Sequence, residues 1–182
     1  MRTTIALAPL ALLAAGAIDL TAQTVWTANA TTAVPNFQAN GTVKTTTVDT
    51  TVHGRGVRPR MTSEGYGVSY VYIPVTAPNT TKFACIGLRA MDNSPSGAIR
   101  AEFVRQPRNG NAAPAVTLGA VTTVDAAGDG FQFRTNLFAV QVIDYSLYTY
   151  YIRVDMSYQG ASTTVVASPV ALDVSLSASC TQ

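Results

Sequence analysis

The chain contains a single histidine, His53, which limits the kinds of catalysis open to it. A Ser-His-Asp triad would have to use this residue as its base, and the sequence holds no Gly-x-Ser-x-Gly elbow to present a nucleophile. His53 also begins the one concentrated basic stretch, which runs to Arg60 and contains two glycines and a proline. This composition is typical of a solvated loop, so we interpret His53 as a loop residue.

Paired carboxylates offer another route to hydrolysis, for example of a glycosidic bond. Four acids lie in or beside turn signals: Asp92, Asp125, Asp129 and Asp144. Asp side chains in turns usually accept hydrogen bonds from their own backbone, which accounts for all four without catalysis. Glu102 and Asp155 fall on polar strand faces, near Arg100 and Arg153 in the sequence, where we expect ion pairs with a neighbouring strand.

Asp125 and Asp129 also suggest a metal, because Ca²⁺ takes carboxylate and backbone carbonyl oxygens as ligands. Their spacing is not that of an EF-hand, so a plain turn is the competing interpretation. Two cysteines and one histidine cannot complete a tetrahedral zinc site without carboxylates. Calcium is therefore the one cofactor that the sequence suggests, and we expect none besides it.

The two cysteines, Cys85 and Cys180, are even in number. In an exported protein this favours one disulfide over two free thiols. The bond would tie the C-terminus to a central strand and close a loop of roughly 95 residues, which the chain-entropy model values at up to ~4–5 kcal/mol.

Tyrosine is the remaining residue type in excess, at Tyr66, Tyr70, Tyr72, Tyr145, Tyr148, Tyr150, Tyr151 and Tyr158. Exposed aromatic side chains on a flat sheet are suited to stacking on sugar rings, and Tyr supplies contact area at a low entropy cost. Tyr151 lies on the polar face of its strand and Tyr158 follows shortly after. We predict these two as ligand-binding residues, with packing on the sheet as the alternative.

These residues depend on strands for their position, and the clearest strand signal is at residues 148–156. One face of this segment carries Tyr148, Tyr150, Ile152, Val154 and Met156, and the other carries Thr149, Tyr151, Arg153 and Asp155. Strict alternation predicts a strand with one face on a core. Seven or eight such segments, separated by turn clusters and without helical periodicity, indicate an all-β antiparallel β-sandwich.

Length and charge set the domain organisation. Residues 1–22 have a charged start and a short apolar run ending in small residues, which predicts a secretory signal peptide. We assign 23–62 to a Thr- and Asn-rich arm with the basic loop, and 63–182 to the sandwich. A net charge of +2, with one short basic stretch, gives no electrostatic case for nucleic acid. No later segment is apolar for 18 residues, so we expect a secreted protein, extracellular or periplasmic, without a transmembrane segment in the mature chain.

Residues 68–176 also resemble a group of bacterial secreted β-sandwich proteins. The shared pieces are Ile73-Pro74, Leu88-x3-Asp92-Asn93, Phe103-Val104-Arg105, Leu118-Gly119-x-Val121-Thr122-Thr123, Gly130-Phe131-Gln132 and Asp144-x3-Tyr148-x-Tyr150-Tyr151. The resemblance implies a jelly-roll-like sandwich and no known activity. The last piece is also similar to the tyrosine corner of immunoglobulin-like and fibronectin-type sandwiches, which are the alternative topology.

Three functional hypotheses follow, in this order. The first is a non-enzymatic structural or surface-interaction module that binds a protein partner or associates with itself. The second is a carbohydrate-binding module that uses Tyr151 and Tyr158 on a glycan. The third is a small secreted hydrolase that uses two carboxylates.

Overall fold

The computed structural model describes residues 25–35, 46–49, 56–59, 66–92, 97–108, 113–123, 131–159 and 170–180. Its strands are β1 (Val25–Asn29), β2 (Val34–Pro35), β3 (Thr46–Asp49), β4 (Gly56–Pro59), β5 (Tyr66–Pro74), β6 (Lys82–Met91), β7 (Gly97–Pro107), β8 (Val116–Thr122), β9 (Phe131–Val142), β10 (Tyr148–Gln159) and β11 (Val170–Ser177). One short 3₁₀ turn, Ala30–Thr32, follows β1. Among these residues no helix has the length and hydropathy needed to span a membrane.

Two antiparallel sheets form the sandwich. Sheet A has the order β3-β4-β11-β6-β9, with β1 also paired to β11, and sheet B has the order β2-β5-β10-β7-β8. The pairings are nested, because β4 pairs with β11, β5 with β10, β6 with β9 and β7 with β8. This is the pattern of one long hairpin rolled up on itself, which confirms the predicted jelly-roll-like β-sandwich over the immunoglobulin-like alternative.

The predicted alternation in β10 is confirmed. Tyr150, Ile152, Val154 and Met156 are buried, while the residues between them are partly exposed. β10 lies between β5 and β7, so its backbone is hydrogen-bonded on both sides. Its inner face is buried in the core between the two sheets. A central strand of this kind needs one apolar and one polar face, which is what the sequence supplies.

The core is centred on Phe103. Its ring centroid lies 6.1 Å from that of Phe83, 5.7 Å from Phe138 and 5.9 Å from Tyr150. Phe138 reaches this cluster because it lies on the same face of β9 as Asn136, whose partner Ile86 is buried in the core. The Phe138 ring lies so close to Gly119 that a Cβ at position 119 would come within 2.4 Å of it.

The sequence left open whether the arm packs on the domain. In the structure β1 pairs with β11 over its whole length, and β2 pairs with β5. β3 pairs with β4, which in turn contacts β11. The described strands of the arm are thus hydrogen-bonded to both sheets.

The predicted disulfide is present between Cys85 on β6 and Cys180 after β11, with the two Cα atoms 5.3 Å apart. Cys85 is buried and Cys180 is partly exposed. The bond lies on the outer face of sheet A, because Cys85 alternates with the core residues Ile86 and Ala84.

Candidate functional site: a groove on the outer face of sheet A

Outward-facing residues cross β1, β11, β6 and β9 in three rows, set by the register of these four strands. The middle row is Thr27, Ser175, Gly87 and Thr135. The row on one side is Asn29, Asp173, Arg89 and Phe133, and the row on the other side is Val25, Ser177, Cys85 and Leu137. The middle row has the shortest side chains, so it forms the floor of a groove that runs across the strands.

This groove has a volume of about 460 Å³, which lies within the usual range of small-ligand sites. Four neighbouring strands span ~15 Å at the ordinary strand spacing, so the groove offers an extended surface rather than a point contact. Its lining consists of Val25, Thr27, Cys85, Gly87, Arg89, Phe133, Thr135, Asp173, Ser175, Ser177, Ser179 and Cys180.

Gly87 gives the floor its depth. A Cβ at this position would lie 2.5 Å from the Ser175 Oγ and 3.4 Å from the Phe133 Cζ. The serine hydroxyl and the phenylalanine ring therefore lean over the glycine from the two neighbouring strands. Any side chain at position 87 would occupy the space between them.

One wall of the groove is polar and charged. Asp173 Oδ1 accepts a hydrogen bond of 3.3 Å from the Asn29 Nδ2, and Asp173 Oδ2 lies 3.7 Å from the Arg89 Nη1. The Arg89 and Asp173 side chains are 53% and 30% exposed. An exposed ion pair with a separation of this length contributes little to folding stability. Both groups can therefore form hydrogen bonds to a ligand without a large loss of that stability.

Asp173 faces the groove because of a bulge in β11. The register shifts between Ala171 and Asp173, where Leu172 has no partner on β6. Ala171 is paired with the core residue Ala90, and after the extra residue Asp173 is paired with the outward-facing Arg89. Without the bulge Asp173 would share the inner face with Ala171, because residues two apart in a strand point the same way.

Phe133 provides the aromatic surface of the groove. It is 45% exposed, in contrast to the aromatic residues of the core. Phe131, two residues earlier on the same face, is 39% exposed, and the Arg89 guanidinium lies 5.1 Å from the centre of its ring. The alternation of Phe131 and Phe133 with polar residues is visible in the sequence. Alternation alone, however, predicts equally well a strand whose aromatic face is buried in the core.

The opposite wall is made by the end of the chain. Ser177 Oγ donates a hydrogen bond of 2.7 Å to the Ser179 carbonyl oxygen. The disulfide then fixes Cys180 to β6. The covalent bond thus holds residues 178–180 against the groove.

Tyr151, the first predicted ligand-binding residue, lies on the other side of the molecule, on the outer face of sheet B. Its ring centroid is 5.5 Å from that of Tyr72, and the two planes meet at 78°. Both rings are partly buried, and burial, followed by the neighbouring Tyr72, raises the pKa of the Tyr151 phenol. The two rings do not form the flat platform that a stacked sugar requires, and a role for Tyr151 in binding stays a prediction.

Beside Tyr151, four charged residues form ion pairs, of which Arg153–Glu102 joins neighbouring strands as expected and the other two each lie within one strand. Arg100 Nη2 lies 2.7 Å from Glu102 Oε1, and Arg153 Nη2 donates to Glu102 Oε2. Arg153 Nε is 3.1 Å from Asp155 Oδ1 without the alignment of a hydrogen bond. Burial raises the pKa of the Asp155 carboxyl, although the Arg153 guanidinium opposes this shift. Glu102 is only 3% exposed. Arg153 thus holds both carboxylates in one ion-pair network.

Other predicted residues lie outside the described part of the chain. His53, Asp125 and Asp129 are among them, and Tyr158 is described only by its backbone in β10. In the described residues no group of three or more His, Cys, Asp and Glu is placed to hold a metal ion. Calcium at Asp125 and Asp129 stays a prediction.

Comparisons with known proteins give distant similarities only. No protein-family model matches the chain, and no curated protein is similar to it. Among solved structures, the C-terminal family 6 carbohydrate-binding module of LamC, a marine laminarinase from Zobellia galactanivorans, has a TM-score of 0.48 at 12% identity, covering 84% of this chain and 99% of the module. The CBM22-2 xylan-binding domain of Paenibacillus barcinonensis Xyn10C has a TM-score of 0.47 at 16% identity, covering 85% and 99%. Similarities this weak do not bear on function.

Proposed function

We propose that this protein is a non-catalytic module that binds carbohydrate in the groove of sheet A. The observation that carries the proposal is the combination of a floor of short side chains with an exposed Phe133 ring on one wall. Thr27, Ser175 and Thr135 present hydroxyl groups along that floor. Sugars are recognised by hydrogen bonds to their hydroxyls and by contact between their apolar faces and aromatic rings, and the groove offers both.

The charged wall adds directional hydrogen bonds. Arg89 supplies donors and Asp173 supplies acceptors, and both are exposed to the groove. Hydrogen bonds to charged groups are stronger than those between neutral groups. This pair can therefore fix the orientation of a sugar that lies on the groove floor.

Binding without hydrolysis is favoured by the acids of the groove. Asp173 is the one carboxylic acid among the lining residues that the structure describes, and it is engaged by Asn29 and Arg89. Glycoside hydrolysis generally needs two carboxyl groups on either side of the bond. Glu102 and Asp155 lie on the other sheet, where both contact Arg153.

Export fits this function. Residues 1–22 predict a signal peptide, and a disulfide such as Cys85–Cys180 persists in oxidising compartments. We therefore place the module outside the cytoplasm, where polysaccharides are accessible.

A glycan array probed with residues 23–182 tests the proposal. We expect specific binding, and we expect Phe133→Ala to lower the affinity for the bound glycan by about three- to tenfold, the loss of one aromatic contact. Leu137→Ala is the matched control, because Leu137 is on the same face of β9 and is 64% exposed but, unlike the other residues of its row, is not among those that line the groove. The same array in EDTA tests calcium at Asp125 and Asp129.

A blank array with a folded, disulfide-bonded sample would contradict the proposal. So would binding that Phe133→Ala and Leu137→Ala reduce equally, because the aromatic wall would then have no specific part in it.

Self-association through β9 is a second candidate, in line with the first of the sequence hypotheses. Leu137, Val140 and Val142 are 64%, 62% and 48% exposed. β9 ends the order of sheet A, and Arg134 is its one charged residue, although edge strands usually carry charges that discourage pairing. Light scattering at high concentration decides this candidate, because a strictly monomeric profile would exclude it.

A further inference from the structure

At its β9 end the groove borders a second cavity, with which it shares one lining residue. This cavity of about 350 Å³ lies between β8 and β9 and is lined by Ala120, Val121, Thr122, Arg134, Thr135 and Asn136. Thr135 lines both cavities and is the last residue of the middle row. We call this second cavity the edge cleft. A chain lying along the groove floor would cross β9 at Thr135 to reach it, because Arg134 and Asn136 point away from the groove, with the core residues Leu88 and Ile86 as partners.

The walls of the edge cleft are fixed to each other. Asn136 Nδ2 donates a hydrogen bond of 2.8 Å to the Ala120 carbonyl oxygen, which joins β9 to β8. Phe138, on the same strand, packs against Gly119 next to Ala120. The cleft is therefore a built feature of the sandwich rather than a gap between two independent strands.

Arg134 places a positive charge in the edge cleft. Its Nε donates a hydrogen bond of 3.2 Å to the Gln132 Oε1, a neutral partner. Among the described residues no carboxyl group forms an ion pair with Arg134, whereas Arg89 and Arg100 each have one such partner and Arg153 has two. The charge of Arg89 in the groove is balanced by Asp173, whereas Arg134 has a neutral partner, Gln132, among the residues that the structure describes.

We infer that the edge cleft binds an anionic substituent of the glycan at Arg134, so that the ligand is an acidic polysaccharide. The forked donors of a guanidinium match the oxygens of a carboxylate or a sulfate ester, and a neutral sugar would leave the charge unused. This inference rests on the proposed glycan-binding function and adds the chemical class of the ligand. A uronic acid and a sulfated sugar offer the same chemistry, and the experiment below distinguishes them.

Calorimetric titration of residues 23–182 with matched pairs of oligosaccharides tests the inference. One pair is oligogalacturonate and its fully methyl-esterified form, and the other is a κ-carrageenan oligosaccharide and its desulfated form. We expect the protein to bind the acidic member of one pair about three- to tenfold more tightly than its neutral counterpart at low salt. The pair that shows this preference identifies a carboxylate or a sulfate.

Two variants and one condition make the result specific. Arg134→Gln should abolish the preference for the acidic member of the pair. Lys82→Gln removes the same charge from an exposed site on β6 that lines neither cavity, and it should keep the preference. Because the contact is electrostatic and partly exposed, the preference should shrink between about 50 and 500 mM NaCl.

Equal affinities within both pairs, or a preference that Arg134→Gln retains, would overturn the inference. The absence of any binding to these probes by a protein that binds neutral glycans on the array would also overturn it and leave the proposed function in place. If the array is blank as well, both fail.

Discussion

Gly87 is the residue on which the depth of the groove depends. A methyl group there would meet the Ser175 Oγ at 2.5 Å and approach the Phe133 ring. The serine hydroxyl can rotate away, but it would then leave the floor, and the new methyl group would fill the space beneath a bound sugar.

We expect Gly87→Ala to lower glycan affinity by about tenfold, an amount equivalent to one lost contact of ~1.4 kcal/mol. Stability should change by no more than about 1 kcal/mol, because alanine reduces the freedom of the unfolded chain while the serine must move. Glycan titration and urea unfolding measure the two effects. An unchanged affinity would show that the ligand does not lie on the floor at Gly87.

Single residues also show what the sequence could not decide. Tyr151 and Phe133 both alternate with polar residues in β-rich segments, so periodicity alone cannot tell which ring lies in a groove. The difference arises from their neighbours across the strands, since Tyr72 meets Tyr151 edge-on whereas Gly87 leaves the Phe133 ring accessible. The sequence gives no register, and these cross-strand neighbours are known only once the strands are paired.

At the scale of elements, the strands of the sandwich were predictable and their irregularities were not. β10 follows its predicted alternation, since Ile152 and Val154 are buried and Arg153 between them is partly exposed. In the last strand the sequence places Val170, Leu172, Val174 and Leu176 on one face, but the bulge at Leu172 breaks this pattern. That bulge turns Asp173 into the groove. Pro169 indicates an edge position or a bulge in this segment, but it does not show which residue is the extra one.

The ion-pair network on sheet B gives a prediction for pH. The pKa of Asp155 is higher in the folded state than in the unfolded chain, chiefly because of burial. The folded state therefore binds the proton more tightly, and the Asp155 contribution to stability is most favourable at acidic pH and declines as pH rises past about 4. A carboxylate in an ion pair usually has a lowered pKa and stabilises the fold most at neutral pH, so Asp155 has the opposite pH dependence.

We expect the stability of Asp155→Asn, relative to the wild type, to increase from pH 3 to pH 7, because asparagine does not titrate. Urea unfolding of both proteins across this range measures the difference. A difference that stays constant, or that favours the wild type more strongly at neutral pH, would contradict the assigned direction of the Asp155 shift.

At the scale of the whole molecule, the disulfide joins the fold to the site. It links residues 95 positions apart, so it restricts a large part of the unfolded chain, and it also holds the C-terminal wall of the groove. The Cys85→Ala/Cys180→Ala double variant should lose about 2–4 kcal/mol of unfolding free energy.

The same variant should bind glycan more weakly even where it is fully folded, because residues 178–180 are no longer fixed beside the floor. Urea unfolding and titration at low temperature separate the two effects, and reduction of the wild type should reproduce both. A loss of stability below about 1 kcal/mol would show that the bond restricts the unfolded chain far less than its length implies.

The two sheets place the groove and Tyr151 on opposite sides of the molecule, the groove on the outer face of sheet A and Tyr151 on the outer face of sheet B. The proposed glycan site is the groove. Backbone amide chemical-shift mapping by NMR tests this most directly, with the oligosaccharide that ranks first on the glycan array titrated into residues 23–182.

We predict that the largest amide chemical-shift changes fall on Thr27, Gly87, Thr135 and Ser175. The changes at Tyr72 and Tyr151 should be no larger than those of other residues outside the groove. Shifts centred on β5 and β10, with the groove residues unchanged, would contradict the claim and place the binding site on the tyrosine face of sheet B.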